Sequence, residues 1–590
     1  MPHRYKERPS NLFPFVRFRP FAALREKFRE GYDLSDFRGD LLSGMVVAMV
    51  AIPLGMALAI ASGVPPQHGL YTVIIGGGVV ALLGGSRFQV TGPTAAFVVI
   101  LAPIAQKFGV GGLLLAGLMA GVMLALMGMA RMGRLIQFIP YPVTTGFTAG
   151  IAVVIGTLQL KDFFGLRPHE MPEKFPEKVV ALFHARGTLS WIELAIGALT
   201  LLFLVFWPKI NRRIPAPLVA LTFAAVLAAF LKSKFPDLEV ATIGNRFSYV
   251  LGGVSGHGIP PAPPQFSLPW NLPGPDGKPF ALSLDLIQSL LPAAFAITML
   301  GAIESLLSAV VADGMAQTKH DPDAELIALG AGNILCPFFG GIAATGAIAR
   351  TATNIRFGAK SPLSAMIHAL VTFVVVLLFA RWVSYLPMAA LAALLMLVAY
   401  NMAEIKHFFH ILKAGPKSDV SVLLMCFSLT VVFDMVVGVS VGIVLAAFLF
   451  MQKMAAVTSS RVFGGGEHPH LKEPLPKETV LYEIAGPLFF GATENAVEAM
   501  SSITDHIRSV IFVLDAVPFM DVTGLVAFES AIQKLIARHR QIYLVGVKKQ
   551  PSDILKKSDL FKEGSEIHFC KTLDEAVQKC KGGGNGAPDR

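Results

Sequence analysis

The chain has 590 residues, of which 54% are hydrophobic and 15% are charged, and its formal net charge is +10. Together with a mean hydropathy of +0.60, this composition excludes an ordinary soluble fold and predicts a protein that crosses a membrane many times. The positive charge does not indicate nucleic-acid binding, because much of it lies ahead of the first apolar run.

A basic arm, residues 1–38, precedes that run and carries eight Lys and Arg residues from Arg4 to Arg29. The positive-inside rule predicts that the arm stays in the cytoplasm. No apolar run with a small-residue cleavage site, the pattern of a signal peptide, precedes Arg38. The Phe and basic residues of the arm could lie along the bilayer surface as an amphipathic helix, so membrane lipid is a predicted partner.

Fourteen apolar runs between residues 39 and 455 predict a polytopic α-helical membrane protein. They lie at residues 40–61, 67–84, 91–106, 110–130, 136–160, 190–208, 214–232, 286–312, 325–342, 345–357, 362–381, 383–402, 417–434 and 435–454. Seven runs precede a long loop and seven follow it, which gives two repeats at about 39–232 and 286–455. Because each repeat crosses the membrane an odd number of times, the second is expected to be inverted relative to the first.

The even total of spans returns the chain to its starting side. We therefore predict a multi-pass protein of the bacterial inner membrane with both termini in the cytoplasm. The loop at residues 233–285 is rich in Pro and Gly, follows an odd span and is predicted to be external. Its GGVSGHG string, residues 252–258, lacks the strand-turn-helix context of a phosphate-binding motif, and we interpret it as irregular loop.

Two of the runs are short and interrupted by small or polar residues: TGPTAAFVVILAPIAQ (91–106) and GGIAATGAIARTATNIR (340–356). A helix that crosses a bilayer needs about 20 apolar residues, so both are predicted to be half-helices. The strings TGPTAA and TGAIAR, which begin at Thr91 and Thr345, align without a gap. Such a pair of short segments predicts the midplane site of a secondary transporter, where helix N-termini face an anion. Thr345 is the predicted N-cap of the second half-helix.

The predicted ligand of these segments is a small anionic substrate. The predicted substrate-binding residues within them are Thr91, Gly92, Thr94, Ala95, Thr345, Gly346, Ala349 and Arg350. A charged residue in a span is a functional-site hypothesis by default. The alternative for Arg350 is a structural or snorkelling arginine.

Glu304 lies in the middle of the run LLPAAFAITMLGAIESLLSAVV, and Ser308 follows one turn later on the same helix face. Two helix N-termini contribute about +0.5 each, and Arg350 adds a full charge. A dianion balances this sum of about +2 best when Glu304 is protonated. We therefore predict Glu304 and Ser308 as the coupling-ion site. The alternative is a Glu304 that serves only to pair with Arg350.

The composition changes after Lys453. Residues 456–478 are a linker rich in Gly and Pro, whose His468 and His470 are interpreted as linker residues and not as metal ligands. Strand-like and helical runs then alternate over residues 479–580, which predicts a small cytoplasmic α/β domain, and residues 581–590 are a predicted disordered tail. The four cysteines, Cys336, Cys426, Cys570 and Cys580, are expected to be free thiols.

No Walker A, HExxH, GxSxG or CxxC motif supports catalysis. The chain is therefore predicted not to be an enzyme and to need no metal or cofactor. The paired half-helices favour a secondary active transporter. The alternatives are an ion channel or motor-like protein and a membrane enzyme or signalling receptor.

Several strings resemble the SulP anion-transporter family, also called solute carrier family 26: PQHGLYTVIIGGGVVALLGGSR (66–87), GAIESLLSAVVADG (301–314) and GAIARTATNIRFGAKSP (346–362). His68 and Val73 depart from the family's usual residues. The resemblance covers about residues 33–576. It implies a seven-plus-seven inverted repeat divided into a core and a gate domain, an elevator-like mechanism and a homodimer.

Within that family the strings AIPLGMALAIASGV (51–64) and GGSRFQVTGPTAAFVVIL (84–101) resemble a bacterial branch, the DauA-type transporters of C4-dicarboxylates such as succinate, fumarate and aspartate. Leu54 follows Pro53 where many sulfate-type members have Gln, and the resemblance places both residues near the substrate. Family members with Asp in place of Glu304 are associated with sodium, so Glu304 favours a proton. The alternatives are a sulfate or bicarbonate transporter, coupled to protons or sodium, and a channel-like member.

The C-terminal domain resembles a STAS domain, the usual partner of SulP transporters. Asp515, Asp521, Thr523 and Gly524 match the acidic loop of that fold. The resemblance implies a regulatory loop at Asp515, Asp521 and Thr523 and a possible cytoplasmic protein partner. For Thr523 the alternatives are a phosphorylation site and a helix cap.

Overall fold

The structure is a computed structural model that describes residues 20–134, 139–172, 174–211, 214–235, 238–251, 253–274, 279, 282–464, 471, 474–491, 506–561 and 567–582. It divides into two compact units, Met1–Ile443 and Val444–Arg590. The two units are described separately.

The described residues of the first unit form helices, four short strands and the loops between them. Its elements in chain order are α1 (Ala22–Glu30), α2 (Leu34–Ala61), α3 (Pro66–Tyr71), a π-helical turn (Thr72–Gly76), α4 (Gly77–Leu83), β1 (Thr91–Gly92), α5 (Ala95–Met129), α6 (Tyr141–Phe163), α7 (Phe175–His184), α8 (Trp191–Ile210), α9 (Ala216–Lys234), α10 (Ile243–Arg246), β2 (Ser248–Leu251), β3 (Val254–His257), α11 (Leu284–Ala316), α12 (Pro322–Leu335), β4 (Thr345–Gly346), α13 (Ile348–Arg356), α14 (Leu363–Val383), α15 (Met388–Met402), α16 (Ile405–Ala414) and α17 (Lys417–Val432). Helix α18 (Met435–Val457) crosses the division between the units.

Every predicted span overlaps a helix of this unit or α18. Among the described residues, ten helices are long and apolar enough to cross a membrane. This number is lower than fourteen because α5 covers two predicted spans, and α12, α13 and α17 are too short to count. The short helices include the predicted second half-helix, α13, which has nine residues.

The first predicted half-helix is confirmed by a break inside α5 at Gly109. The φ angle of Gly109 is 67° and the residue is not helical. A Cβ at this position would lie 2.6 Å from the carbonyl carbon of Gly274, so the close approach requires glycine. The backbone N–H of Gly111 donates to the carbonyl oxygen of Pro273 just after the break. The loop between the two repeats therefore packs against the end of the half-helix.

Local sequence explains where many of the long helices begin. Asp33, Ser190 and Ser283 are the N-caps of α2, α8 and α11, and each side chain accepts a hydrogen bond from a backbone N–H three residues later. Proline stands in the first turn of α3, α6, α9 and α12, where its missing N–H removes no helical hydrogen bond.

The helices pack into two groups. In the first group, α2 packs against α14, and α5 packs against α11 and α12. In the second group, α6 packs against α15 and α17, and α8 packs against α9 and α15. Both groups draw helices from both repeats, which is the division into a core and a gate domain that the resemblance implies.

Strands β1 and β4 form a two-residue antiparallel pair in which Thr91 lies opposite Gly346 and Gly92 lies opposite Thr345. Thr91 and Thr345 occupy the same place in the aligned strings, and so do the two glycines. A two-fold axis that exchanges the two strings therefore runs through the centre of the pair, as an inverted repeat requires.

The prediction that Thr345 is an N-cap is wrong. Thr345 belongs to β4, and the residue before α13 is Ala347, which has no side-chain cap. The hydroxyl of Thr345 donates instead to the carbonyl oxygen of Gly301 on α11, at 2.9 Å. Pairing with β1 keeps Thr345 and Gly346 extended, so the helix begins only after them.

The GGVSGHG string is also not irregular loop. Strands β2 and β3 form an antiparallel hairpin in which Ser248 pairs with His257 and Leu251 pairs with Val254. The turn passes through Gly253, whose φ of 83° is one that glycine adopts without strain. A short hairpin with small residues has weak hydrophobic alternation, which is why the pattern did not predict it.

The second unit contains the strands β5 (Ser459–Phe463), β6 (Thr479–Ala485), β7 (Ser509–Ala516), β8 (Gln541–Val545) and β9 (Ile567–Cys570) and the helices α19 (Val522–Ile536), α20 (Lys549–Leu555) and α21 (Leu573–Gly582). The strands form one sheet in the order β5-β6-β7-β8-β9, antiparallel between β5 and β6 and parallel elsewhere. Side chains of β7 alternate between two apolar clusters, with Phe512 in one and Ile511 in the other.

The predicted α/β domain is thus present. The helical stretch expected between β6 and β7 lies outside the described residues, as do His468, His470 and residues 583–590. Residues 581–582 end α21 and so are not part of a disordered tail. All four cysteines are free thiols, as predicted: Cys336, Cys426, Cys570 and Cys580.

Candidate functional site

The paired strands bring the starts of two helices together. Helix α5 begins three residues after Gly92, and α13 begins two residues after Gly346. Neither start has a side chain that caps its backbone N–H groups. Uncapped N–H groups at a helix start carry partial positive charge and favour an anion. The β1-β4 pair therefore supports the kind of site that the sequence predicts.

Arg350 lies in the first turn of α13 and is almost completely buried, with 2% of its surface exposed. Its Nη2 atom donates to the carbonyl oxygen of Pro93, between β1 and α5. Its Nε and Nη1 atoms are buried without a hydrogen-bond partner. Buried polar groups are nearly always paired, so two free donors on one guanidinium indicate a missing acceptor such as an anion.

Glu304 on α11 is half-buried, and its Oε2 atom accepts a hydrogen bond of 2.7 Å from the hydroxyl of Thr94. Thr94 is the residue before α5, and its hydroxyl does not cap the helix. No ion pair within 4.0 Å joins Glu304 to Arg350 in the described part of the chain. Glu304 and Arg350 interact electrostatically over a longer distance.

The remaining predicted residues of the two segments lie in or beside the strand pair. Thr91, Gly92, Thr345 and Gly346 are buried, and the hydroxyl of Thr91 is a further buried atom without a partner. Ala95 is buried at the start of α5, whereas Ala349 is exposed beside Arg350.

Ser308 does not contact Glu304 through a hydrogen bond. Its hydroxyl donates to the hydroxyl of Thr351 on α13, at 3.1 Å, and it is completely buried. Ser308 therefore links α11 to the helix that carries Arg350. The structure gives it a positioning contact next to the proposed site.

Pro53 and Leu54 lie on α2 and are not part of the strand pair. Pro53 lines an apolar cavity that α2 forms with α9 and α14. Leu54 is half-buried. The described hydrogen bonds of the strand pair involve neither residue.

One buried histidine near Arg350 was not predicted from the sequence. His368 on α14 is 1% exposed, and both of its ring nitrogens lack a hydrogen-bond partner. Arg350 is the charged group that interacts with it electrostatically. A histidine inside the apolar run SAMIHALV is itself a signal of function, and it could have identified this residue.

A polar network next to β1 was not predicted either. The Nε2 atom of Gln89 donates to Ser305 at 2.6 Å and to Glu325 at 2.8 Å. Glu325 is buried and also accepts hydrogen bonds from the backbone N–H groups of Gly85 and Ser86. A Cβ on Gly346 would lie 2.5 Å from Gln89 Nε2, so this network packs directly against β4.

In the second unit, the acidic loop lies between β7 and α19. Asp521 is the N-cap of α19 and accepts hydrogen bonds from the backbone N–H groups of Gly524, at 2.7 Å, and Phe490, at 3.1 Å. The reading of Thr523 as a helix cap is therefore wrong, because Asp521 already occupies that position. Asp515 and Thr523 are exposed.

Comparison with known proteins identifies the architecture. The profile of the sulfate permease family matches residues 37–426, and that of the STAS domain matches residues 473–576. The chain is 40% identical over 550 residues to YvdB of Bacillus subtilis (strain 168), whose name describes a candidate sulfate transporter; the match covers 92% of this chain and 98% of YvdB. The chain belongs to the sulfate permease family.

Other relatives agree with this assignment. The bicarbonate transporter BicA of Picosynechococcus sp. is 29% identical, over 92% of this chain and 94% of BicA. The transmembrane domain of a cyanobacterial BicA superposes with a TM-score of 0.57 at 26% identity, covering 70% of this chain and 98% of that domain.

The murine solute carrier 26 family member A9, solved in its inward-facing state, shares the fold with a TM-score of 0.82, at 17% identity and over 98% of this chain and 97% of that chain. The predicted resemblance to the SulP family and the STAS domain is confirmed. This sulfate permease family member is a multi-pass membrane transporter of anions and not an enzyme.

Proposed function

We propose that this sulfate permease family protein is a secondary active transporter that takes up C4-dicarboxylates together with a proton. The observation that carries the proposal is the buried guanidinium of Arg350, which has two unpaired donor atoms beside two uncapped helix starts. The expected movement is elevator-like: the first group of helices, which contains β1, β4 and Arg350, slides past the second.

The charge of the site favours a dianion. Two helix starts of about +0.5 each and one guanidinium give about +2 before Glu304 is counted. A carboxylate also matches the planar donor geometry of arginine. Succinate, fumarate and aspartate each carry two carboxylates, one of which could bind Arg350 while the other remains near a helix start.

The position of Glu304 supports coupling to a proton. An ionised Glu304 would reduce the positive charge of the site to about +1 and would disfavour a dianion. Glu304 accepts its hydrogen bond from Thr94, at the start of α5. Its protonation state therefore acts on the same helix start that we propose faces the substrate. Sodium is the alternative coupling ion.

Transport of sulfate or bicarbonate is the second candidate function. It is favoured by the names of the relatives YvdB and BicA. Both anions are oxyanions that an arginine and two helix starts could bind. The apolar Leu54 after Pro53, in place of the Gln of many sulfate-type members, is the sequence feature that weakens an assignment to sulfate.

The test is an uptake panel with the purified protein in proteoliposomes. Labelled fumarate is offered with an excess of unlabelled succinate, aspartate, bicarbonate or sulfate, with and without a pH gradient. We expect saturable fumarate uptake that succinate inhibits and that is lost when the gradient is dissipated. Inhibition by sulfate or bicarbonate alone would support the second candidate, and uptake that does not saturate would indicate a channel.

The assembly is also proposed. We expect a homodimer of the bacterial inner membrane with both termini in the cytoplasm and with the STAS domain open to a cytoplasmic protein partner. Protease accessibility in membrane vesicles of known orientation tests the placement of the termini. Crosslinking in native membranes tests the dimer.

A further inference from the structure

An apolar cavity lies between the two groups of helices. It has a volume of about 850 Å³ and is lined by α2 and α14 from the first group and by α9 from the second. Almost all of its lining is apolar, and Met49, Ile52, Leu221, Ala225 and Phe379 are representative. An apolar cavity of this size has room for a hydrocarbon chain.

A second cavity, of about 740 Å³, adjoins the first and is lined by more polar residues; we call it the polar cavity. The two share Ala229, Lys232 and Tyr385. The polar cavity is lined by two cations, Lys232 and Arg381, by one acidic residue, Glu239, and by uncharged groups such as those of Asn245 and Tyr249.

The two cations are available to a ligand. Lys232 lies in the last turn of α9 and Arg381 in the last turn of α14, and both are exposed. Within the described ranges neither forms an ion pair. The acidic residue that lines the same cavity, Glu239, lies 3.7 Å from Arg167. The lining of the polar cavity thus carries two positive charges and one negative charge, and its net charge is positive.

Aromatic residues mark the boundary between the two cavities. Trp382 lines the apolar cavity, and Tyr385 lines both. Trp and Tyr are enriched at the level of lipid headgroups, where one end of the ring is apolar and the other is hydrated. From these aromatic residues we infer that the apolar cavity lies at the level of the hydrocarbon chains and the polar cavity at the level of the headgroups.

We propose that the joined cavities bind an anionic phospholipid, with an acyl chain in the apolar cavity and the phosphate between Lys232 and Arg381. Charge selects the headgroup, because a zwitterionic lipid offers no net charge to the two cations. The bound lipid contacts both groups of helices. Its binding does not depend on the identity of the transported anion.

The chain offers a matched control for the headgroup. Lys234 lies in the same last turn of α9 as Lys232, is also exposed and lines neither cavity. A general attraction of anionic lipid to the basic end of α9 would depend on both lysines. A specific site depends on Lys232 and Arg381.

The test titrates the detergent-purified full-length protein with phosphatidylglycerol or phosphatidylcholine of identical acyl chains and counts bound lipids by native mass spectrometry. We expect a preference for phosphatidylglycerol of about fivefold per cation. Lys232→Gln and Arg381→Gln should each lower the preference for phosphatidylglycerol about fivefold. Lys234→Gln should leave this preference unchanged. Equal binding of the two lipids by the unchanged protein, or equal losses in Lys232→Gln and Lys234→Gln, overturns the proposal.

Two further measurements separate a lipid from other ligands. Ala225→Trp fills the apolar cavity without changing charge and should lower binding of both lipids, with unchanged elution on size exclusion as the test of folding. Inorganic phosphate lacks acyl chains and should not displace bound phosphatidylglycerol. Displacement by phosphate, or full lipid binding by a folded Ala225→Trp protein, also overturns the proposal.

Discussion

The Nη1 atom of Arg350 lies directly over Gly92, and a Cβ built on that glycine would be 2.6 Å from it. The aligned glycine of the second repeat, Gly346, is covered in the same way by Gln89 Nε2, at 2.5 Å. Each strand of the β1-β4 pair therefore lacks a side chain at the place where a polar group of the other repeat lies against it. Because Gly92 has no side chain, the guanidinium of Arg350 can lie against β1.

Gly92→Ala is expected to impair transport while the protein still folds. The added methyl group would displace the end of the Arg350 side chain, at a cost of about 1–3 kcal/mol for overpacking a buried site. Gly117→Ala on α5 is the matched control, because its Cβ would meet no atom closer than 3.9 Å. Initial uptake rates in proteoliposomes are the measurement. Equal rates in the two variants would contradict the proposed position of the guanidinium.

Arg350→Ala is expected to weaken anion binding by about thirtyfold or more, since removing a buried charge that binds an anion costs about 2–5 kcal/mol. The control is Arg356→Gln at the exposed end of the same helix, α13, which should bind normally. Isothermal calorimetry with fumarate or succinate measures the affinity, and thermal unfolding confirms that both variants are folded. Unchanged affinity in a folded Arg350→Ala protein would show that the anion binds elsewhere.

Glu304→Gln is expected to abolish accumulation of substrate driven by a pH gradient while leaving substrate exchange intact. Uptake by the unchanged protein should rise as the external pH falls, because a proton must bind Glu304 when the anion loads. Glutamine is neutral at every pH, so the variant should exchange internal for external substrate but should not accumulate it in response to a pH gradient.

The measurement for Glu304→Gln is counterflow compared with gradient-driven uptake in the same proteoliposomes. Thr94→Val removes the hydrogen bond to Glu304 Oε2 and leaves the carboxyl group in place. It should keep the coupling but shift the pH dependence. Accumulation against a gradient in Glu304→Gln, with its pH dependence intact, would assign the proton to another group.

Asp521→Ala is expected to destabilise the STAS domain by about 1 kcal/mol, because the side chain caps α19 through Gly524. Thr523→Ala should change stability by less than about 0.5 kcal/mol, since its side chain is exposed. Urea unfolding of the separately expressed second unit compares the two. A larger loss in Thr523→Ala would show that Thr523 has a structural role beyond this cap.

Much of this fold could be predicted because membrane helices leave a strong local signal. The runs of apolar residues predicted a helix for every span, and the aligned strings at Thr91 and Thr345 predicted the two half-helices. The pairing of those strings could not be predicted, since an antiparallel contact between residues far apart in sequence has no local pattern. The error over Thr345 follows from this, because a threonine before a helix and a threonine in a short strand look the same.

The buried polar residues show a second limit on what the sequence can predict. Glu304 and Arg350 were identified because a charge inside an apolar run is costly. The same argument applies to Glu325 and His368, which lie in comparable runs. The sequence does not show which groups surround these two side chains. Gln89 and two backbone N–H groups satisfy Glu325, whereas both nitrogens of His368 remain unpaired.

The antiparallel pair of β1 and β4 also has a consequence for biosynthesis. Thr91 and Gly92 enter the membrane early, yet their only described strand partners are Gly346 and Thr345, which the ribosome delivers after most of the helices. Until then the backbone N–H and C=O groups of Thr91 and Gly92 lack these partners, and an unpaired backbone group inside a membrane costs free energy. The strand pair, and with it the proposed transport site, can therefore form only after the second repeat has been inserted.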